Sequence, residues 1–233
     1  MSLNKINTNG LLDVYIYNNF ITDEQCDHLV KIISARHERA TIVNRNKDRK
    51  DIENVKGQAA VSTNRTNSAC HFLKYDPIAM MYDAKLSKLI GVDQDASDNC
   101  QGLYYDTDQK YNCHMDAHTD AKILENSGQR TWTVITYLNT PKEGGATKFC
   151  KFDLQIEAKK GTLLMWNNLH ADGSANKWSQ HAGMPVISGK KYCVVKWFKE
   201  FKQNPHSYFT GEPQLKLENY PIDYLKLNTN QKR

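Results

Sequence analysis

Apolar residues recur at two different spacings along this chain, and the change from one to the other divides it. Cys26, Leu29, Val30 and Ile33 fall at the three- and four-residue steps of a helix that buries one face. Just before them, Thr22-Asp-Glu-Gln25 has the form of a capping box, which satisfies the free amides of a helix start. Residues 11–21 read as a strand and turn leading into it. Ile78, Met81, Leu86 and Ile90 repeat the helical step over 77–90, ending near Gly91. Both helices are predicted to be scaffold, packed on a sheet.

Beyond Gln101 the helical step disappears. Short β-rich runs follow at 103–105, 131–138, 146–149, 162–166 and 192–198, separated by turn signals such as Pro141-Lys-Glu-Gly-Gly145. Many short strands with tight turns indicate a sandwich or jelly roll. Residues 41–67 are polar with little periodicity, which predicts a long loop or a weakly paired hairpin of the kind that often forms a lid. The segment 201–233 carries few signals. One domain is expected over 1–233, with helices and a substrate loop in 1–100, the β core in 101–200 and an extension in 201–233.

With 39% hydrophobic and 24% charged residues, a chain of 233 residues can bury a core without staples. Its net charge of +5 is spread out. No concentrated Lys/Arg stripe with stacking aromatics appears, so no nucleic-acid partner is expected. No apolar run approaches the roughly 20 residues of a membrane span, so no membrane partner is expected either. The six cysteines form no CxxC pair and residues 1–9 are polar, unlike an export signal. Reduced thiols and a cytoplasmic location, in a cell or a virus-infected host, are the expectation.

The densest group of potential metal ligands is Tyr111-Asn-Cys-His-Met-Asp-Ala-His-Thr-Asp120, with His181 far downstream. On an extended strand, residues two apart share a face, so His114 and Asp116 are predicted to present an imidazole and a carboxylate together. A second histidine from another strand completes two histidines and one carboxylate, the arrangement diagnostic of non-haem Fe(II) oxygenases. An HxD pair is weak on its own, and His118-x-Asp120 repeats it; periodicity does not choose between the two, and a polar turn is the ordinary reading of such a pair. Lys191 heads the apolar run 192–197. It is either a surface lysine at a strand start or an inward cation able to pair with a dicarboxylate.

Several ordered blocks resemble the prolyl 4-hydroxylase family of Fe(II)- and 2-oxoglutarate-dependent dioxygenases. Tyr105 through Asp116 is similar to its Y-x-x-x-Q-x-Y-x-x-H-x-D block, 130–138 to its R-x-x-T-x-x-x-Y-L strand, and Glu143-Gly-Gly-Ala-Thr147 to its E-G-G-x-T turn. Ser179-x-His-Ala-Gly-x-Pro-Val186 and Gly189-x-Lys-Tyr192 resemble the region of the second histidine and the cosubstrate lysine, and Asn64-Arg-Thr-Asn67 resembles part of the substrate loop. The resemblance covers roughly 11–198. It implies an α+β, mainly β fold with a double-stranded β-helix (jelly-roll, cupin-like) core and supporting N-terminal helices. The absence of extra domains points to a stand-alone catalytic domain of bacterial, phage or viral type.

By position, the resemblance implies that His114, Asp116 and His181 bind Fe(II), and that this match, through Gln109 and Tyr111, selects them over His118 and Asp120. Lys191 would hold the C5 carboxylate of 2-oxoglutarate, bordered by Tyr105 and Tyr137. Arg65, Tyr111, Arg130 and Trp197 would line the peptide groove or the space near the iron, with core packing as the plain alternative for Tyr105, Tyr137 and Trp197 and a mobile surface side chain for Arg65. O2 is the second cosubstrate and ascorbate a candidate reductant; the partner is a proline-containing peptide or protein, with oligomeric state left open. Departures from the pattern are Asn67, Lys190, Met184 and Cys113. Rival readings are the same chemistry on another residue or a free amino acid, and a silent peptide-binding module of this fold.

Overall fold

A computed structural model describes residues 3–43, 52–56, 59–71 and 76–201. Strands β1 (Asn4–Ile6) and β2 (Val14–Tyr17) lead into helix α1 (Asp23–Arg36), whose capping box forms as expected: the Thr22 hydroxyl accepts from the Gln25 amide, and the Gln25 side chain accepts from the Thr22 amide. Strands β3 (Glu38–Arg39), β4 (Ile42–Val43), β5 (Ile52–Lys56), β6 (Ala59–Ser62) and β7 (Ser68–Cys70) follow. The polar segment 41–67 is therefore paired in part, because β4, β6 and β5 form a small antiparallel sheet. Helix α2 (Pro77–Ile90) starts on the Asp76 carboxylate, which accepts from the amides of Ile78 and Ala79, and ends at Gly91 in the left-handed region.

The second half holds β8 (Gln101–Tyr105), β9 (Tyr111–His114), a short helix α3 (Ala121–Ser127), β10 (Arg130–Tyr137), β11 (Glu143–Gly144), β12 (Thr147–Phe149), β13 (Leu154–Ile156), β14 (Leu163–Asn167), β15 (His181–Gly183), β16 (Val186–Ser188) and β17 (Lys191–Lys199). The major sheet runs β1-β2-β14-β10-β17-β8-β7-β3 and the minor sheet β13-β12-β15-β9, with β11 and β16 paired separately. The central strands pair with strands distant in sequence, as β14 with β2, β17 with β8 and β15 with β9, and the two antiparallel sheets face each other as a double-stranded β-helix.

Alternation explains both faces of the major sheet. Leu103 and Tyr105, Ile135 and Tyr137, Leu164 and Trp166, and Cys193 and Val195 point to the inter-sheet core, where Phe149 joins them from β12. The opposite face is covered by the helices. A side chain at Gly102 would come within 2.6 Å of Ile33 of α1, and the Tyr82 hydroxyl of α2 meets Thr136 at 2.9 Å. Burial on both faces is why β8 is buried along its whole length.

The described residues belong to a compact unit that ends at Lys202, so the extension expected over 201–233 lies outside the described residues but for Phe201. No described helix is long and apolar enough to cross a membrane. The reading of all six cysteines as reduced thiols is corrected: Cys113 of β9 and Cys150, just past β12, form a disulfide across 37 residues. The other four are buried and lie outside any disulfide. The pairing is a product of strand order, since the end of β12 and β9 both flank β15.

Candidate metal and cosubstrate site

The minor sheet places His114 and His181 directly opposite each other across β9 and β15, with ring centres 4.3 Å apart. The strand ends at His114, so Asp116 does not reach the site by strand alternation as the spacing suggested. It is brought there by the irregular segment after β9 and held by the Thr133 hydroxyl, which donates to Oδ2 at 2.7 Å. Nε2 of His114 lies 3.6 Å from Asp116 Oδ1, and Nε2 of His181 lies 3.6 Å from Oδ2. One donor atom from each of the three residues lies within 4.8 Å of the other two, the spread of ligands around one ion.

The tautomers suit a metal. Nδ1 of His114 is 2.8 Å from the Asn112 carbonyl, and Nδ1 of His181 is 2.9 Å from the Ser179 carbonyl. A carbonyl only accepts, so the Nδ1 proton is fixed there and each Nε2 presents a lone pair. Burial pushes the His181 imidazole down to about 4, helped by the neighbouring His114, which keeps it neutral. Burial alone would raise the Asp116 carboxyl; His181, His114 and Arg130 outweigh it and hold the carboxyl well below its ordinary value. Two imidazoles and one carboxylate fit Fe(II) with open positions.

The rival pair is used otherwise. The Asp120 carboxylate caps α3, accepting from the Lys122 and Ile123 amides, and the His118 backbone is clasped at both ends by the Gln129 amide.

Lys191 opens β17 opposite Tyr105 and is 2% exposed. Its ammonium stands 5.0 Å from the Tyr105 ring centre and 5.4 Å from that of Tyr137, and among the described residues no carboxylate pairs with it. Burial lowers its pKa. Its charge also acts on His181. The Tyr137 hydroxyl donates to Thr147 at 2.8 Å. Gly145, at φ 74°, lets the 143–147 turn close over the lysine stem, where a Cβ would lie 3.3 Å from Lys191 Cδ.

On the outer side, Tyr111 stacks on His114 with ring centres 3.6 Å apart, and Arg65 lies 4.9 Å over Tyr111. Arg65 is no loose surface side chain. It donates to Asn67 Oδ1, the Thr41 carbonyl and Gln101 Oε1, so the departure at Asn67 supplies a partner rather than removing one. Arg130 donates twice to Asp98, at 3.0 and 2.8 Å, and lies 4.1 Å over the Trp197 ring. Among the described residues the buried Trp197 Nε1 has no hydrogen-bond partner.

Sequence reasoning did not single out Thr133, Asn168, Trp166 or Thr147. Thr133 and Thr147 lie inside motifs that were recognised, but their roles depend on partners on other strands.

An open site of two histidines and one carboxylate in a double-stranded β-helix, beside a buried lysine with no salt-bridge partner among the described residues, defines a 2-oxoglutarate- and Fe(II)-dependent oxygenase. Residues 100–199 match the family model described as the 2OG-Fe(II) oxygenase superfamily. The probable prolyl 4-hydroxylase 6 of Arabidopsis thaliana is 30% identical over 202 residues, covering 78% of this chain and 67% of that protein. The solved viral collagen prolyl hydroxylase of Paramecium bursaria Chlorella virus-1, in complex with 2-oxoglutarate, matches with TM-score 0.56 at 20% identity, covering 79% of this chain and 94% of that one. A Trichoplax adhaerens prolyl hydroxylase in complex with a hypoxia-inducible-factor peptide fragment matches with TM-score 0.54 at 17% identity, covering 83% and 84%. At those identities the solved structures establish the fold. The chain belongs to the prolyl 4-hydroxylase family of 2-oxoglutarate- and Fe(II)-dependent dioxygenases. It spans 61–67% of the length of three Arabidopsis relatives.

Proposed function

We propose that this chain hydroxylates proline within a peptide or protein, at C4, consuming O2 and 2-oxoglutarate and releasing succinate and CO2. The observation that carries the reading is the pairing of an open three-ligand cluster with a buried lysine that has no salt-bridge partner among the described residues. Three protein ligands alone also suit catalytic zinc. A dicarboxylate cosubstrate gives the lysine its partner.

His114, Asp116 and His181 would hold the ion, and Fe(II) there supplies O2 activation coupled to oxidative decarboxylation of 2-oxoglutarate. The chain does the positioning. Lys191 pairs with the C5 carboxylate of 2-oxoglutarate, a charge-assisted contact that gains strength in a dry pocket. Tyr105 and Tyr137 wall that pocket and exclude water, with Thr147 fixing the Tyr137 hydroxyl.

The peptide lies on the outer side, along Arg65, Tyr111, Arg130 and Trp197. A proline-rich segment is already extended and offers carbonyls at little entropic cost. Trp197 Nε1 is a buried donor suited to such a carbonyl. Arg130 shapes this wall from the Trp197 face while anchored to Asp98.

The test compares a proline-rich peptide, the same peptide with alanine for proline, and free proline, in the presence of Fe(II), 2-oxoglutarate and O2. A mass gain of one oxygen, placed on proline by fragmentation and recovered as 4-hydroxyproline, is expected for the first alone. Gain on free proline or on the alanine peptide would move the substrate to one of the rival classes.

A further inference from the structure

Behind Asp116 runs a chain of buried hydrogen bonds whose direction is fixed at its far end. The Trp166 indole can only donate, and its Nε1 gives its proton to Asn168 Oδ1 at 3.1 Å. The Asn168 amide is thereby oriented, and its Nδ2 donates to Thr133 Oγ1 at 2.8 Å. With its oxygen already accepting, the Thr133 hydroxyl directs its single proton to Asp116 Oδ2 at 2.7 Å. Trp166, Asn168 and Thr133 are wholly buried and Asp116 is 6% exposed, so solvent does not replace any link.

The main chain anchors this relay. Thr133 and Trp166 are direct partners across β10 and β14, and the Asn168 amide donates to the Thr131 carbonyl at 2.8 Å while its carbonyl accepts from the Asn176 amide at 2.8 Å. Asp116, by contrast, sits in an irregular segment after β9, with no strand pairing of its own. The rigid sheet therefore orients the one ligand that is not carried on a strand.

We propose that Thr133 is a positioning residue that fixes the orientation in which the Asp116 carboxylate meets the metal; the inference rests on the metal reading above. Rotating the carboxylate out of that orientation would break the Thr133 bond and strand a buried hydroxyl. The hydroxyl thus holds in place the one ligand that no strand carries, and with it the surroundings in which the cosubstrate is to bind.

The experiment is an anaerobic Fe(II) titration of wild-type, Thr133→Val and Thr133→Ser proteins, followed by 2-oxoglutarate titration of each metal-loaded form. The apo melting temperature is recorded to monitor folding. Thr133→Val keeps the shape and loses the donor; its Fe(II) affinity is expected to fall about 10–100-fold, with weaker 2-oxoglutarate binding on the loaded protein. Thr133→Ser keeps the hydroxyl and is expected to restore both. Asn168→Leu, which removes the donor that orients Thr133, shifts affinity in the same direction and serves if Thr133→Val does not fold. Wild-type affinities in folded Thr133→Val, or equal losses in Thr133→Ser, would overturn the inference while leaving the metal reading intact. Wild-type protein that bound no Fe(II) would overturn both.

Discussion

The Lys191 ammonium stands 5.4 Å from the centre of the Tyr137 ring, sealed from water and, among the described residues, in salt bridge with no carboxylate, Glu157 acting on it only from a distance. A buried cation without an anion costs stability in the absence of ligand. Lys191→Met is therefore expected to abolish 2-oxoglutarate binding while making the apo protein more stable, by roughly 1–4 kcal/mol, as when buried charges give way to apolar residues. The sign with pH follows from the lowered pKa. The cost is fully present below the folded-state pKa and fades as pH rises from there towards the ordinary lysine value of 10.5. Thermal melts of both proteins across alkaline pH should converge; a constant gap, or a less stable variant, would contradict this.

The two HxD pairs should separate cleanly. His114→Ala is expected to abolish turnover, because it removes one of the three converging donors. His118→Ala should leave turnover largely intact, and Asp120→Ala should cost about 1 kcal/mol of stability through loss of the α3 cap. Steady-state succinate release and denaturant melts distinguish these outcomes. Activity that survived in His114→Ala and vanished in His118→Ala would reverse the ligand assignment.

Asp98 joins Arg130 and Lys199, at 2.8 and 2.6 Å, beneath the Trp197 face. Burial alone would raise its carboxyl, but the two cations outweigh burial and leave its pKa lowered. Its contribution to stability is thus present above the ordinary carboxylate pKa and lost as pH falls through the lower folded-state value. Asp98→Asn should destabilise by about 1.5–3 kcal/mol at neutral pH, and the difference from wild type should shrink in acid. A difference independent of pH would show that the ion cluster contributes nothing.

Thiol counting checks the disulfide. Denatured, unreduced protein should show four free thiols, and six after reduction. Closing a loop of 37 residues suggests that reduction costs about 2–4 kcal/mol. Because Cys113 adjoins His114 on β9, Fe(II) affinity should fall as well. Six thiols without reductant would remove the crosslink from the account.

What was legible in the sequence was local. The α1 capping box, and the Asp76, Pro77 and Gly91 that bound α2, are each satisfied within a few residues of chain, so pattern alone located both helices. The ligand set was legible through motif resemblance, while its geometry was not: Asp116 lies beyond the end of β9 and is placed by Thr133, seventeen residues on. Helix α3 was missed because its seven residues offer too few turns for a periodic signal and open in the ligand-like stretch ending at Asp120. The Cys113–Cys150 link and the Trp166–Asn168–Thr133 relay exist only once β9, β10, β12 and β14 are assembled. The mobile alternative for Arg65 stood open because its partners, Thr41, Asn67 and Gln101, come from separate segments.

The central claim is that one O2 molecule is divided between 2-oxoglutarate and a peptidyl proline at the His114, Asp116 and His181 site. Turnover under oxygen-18 gas, with a proline-rich peptide and mass analysis of both products, tests it most directly. The account predicts one labelled oxygen in succinate and one in the proline hydroxyl, in equal amounts. Succinate formed without label, or a peptide hydroxyl drawn wholly from water, would contradict it.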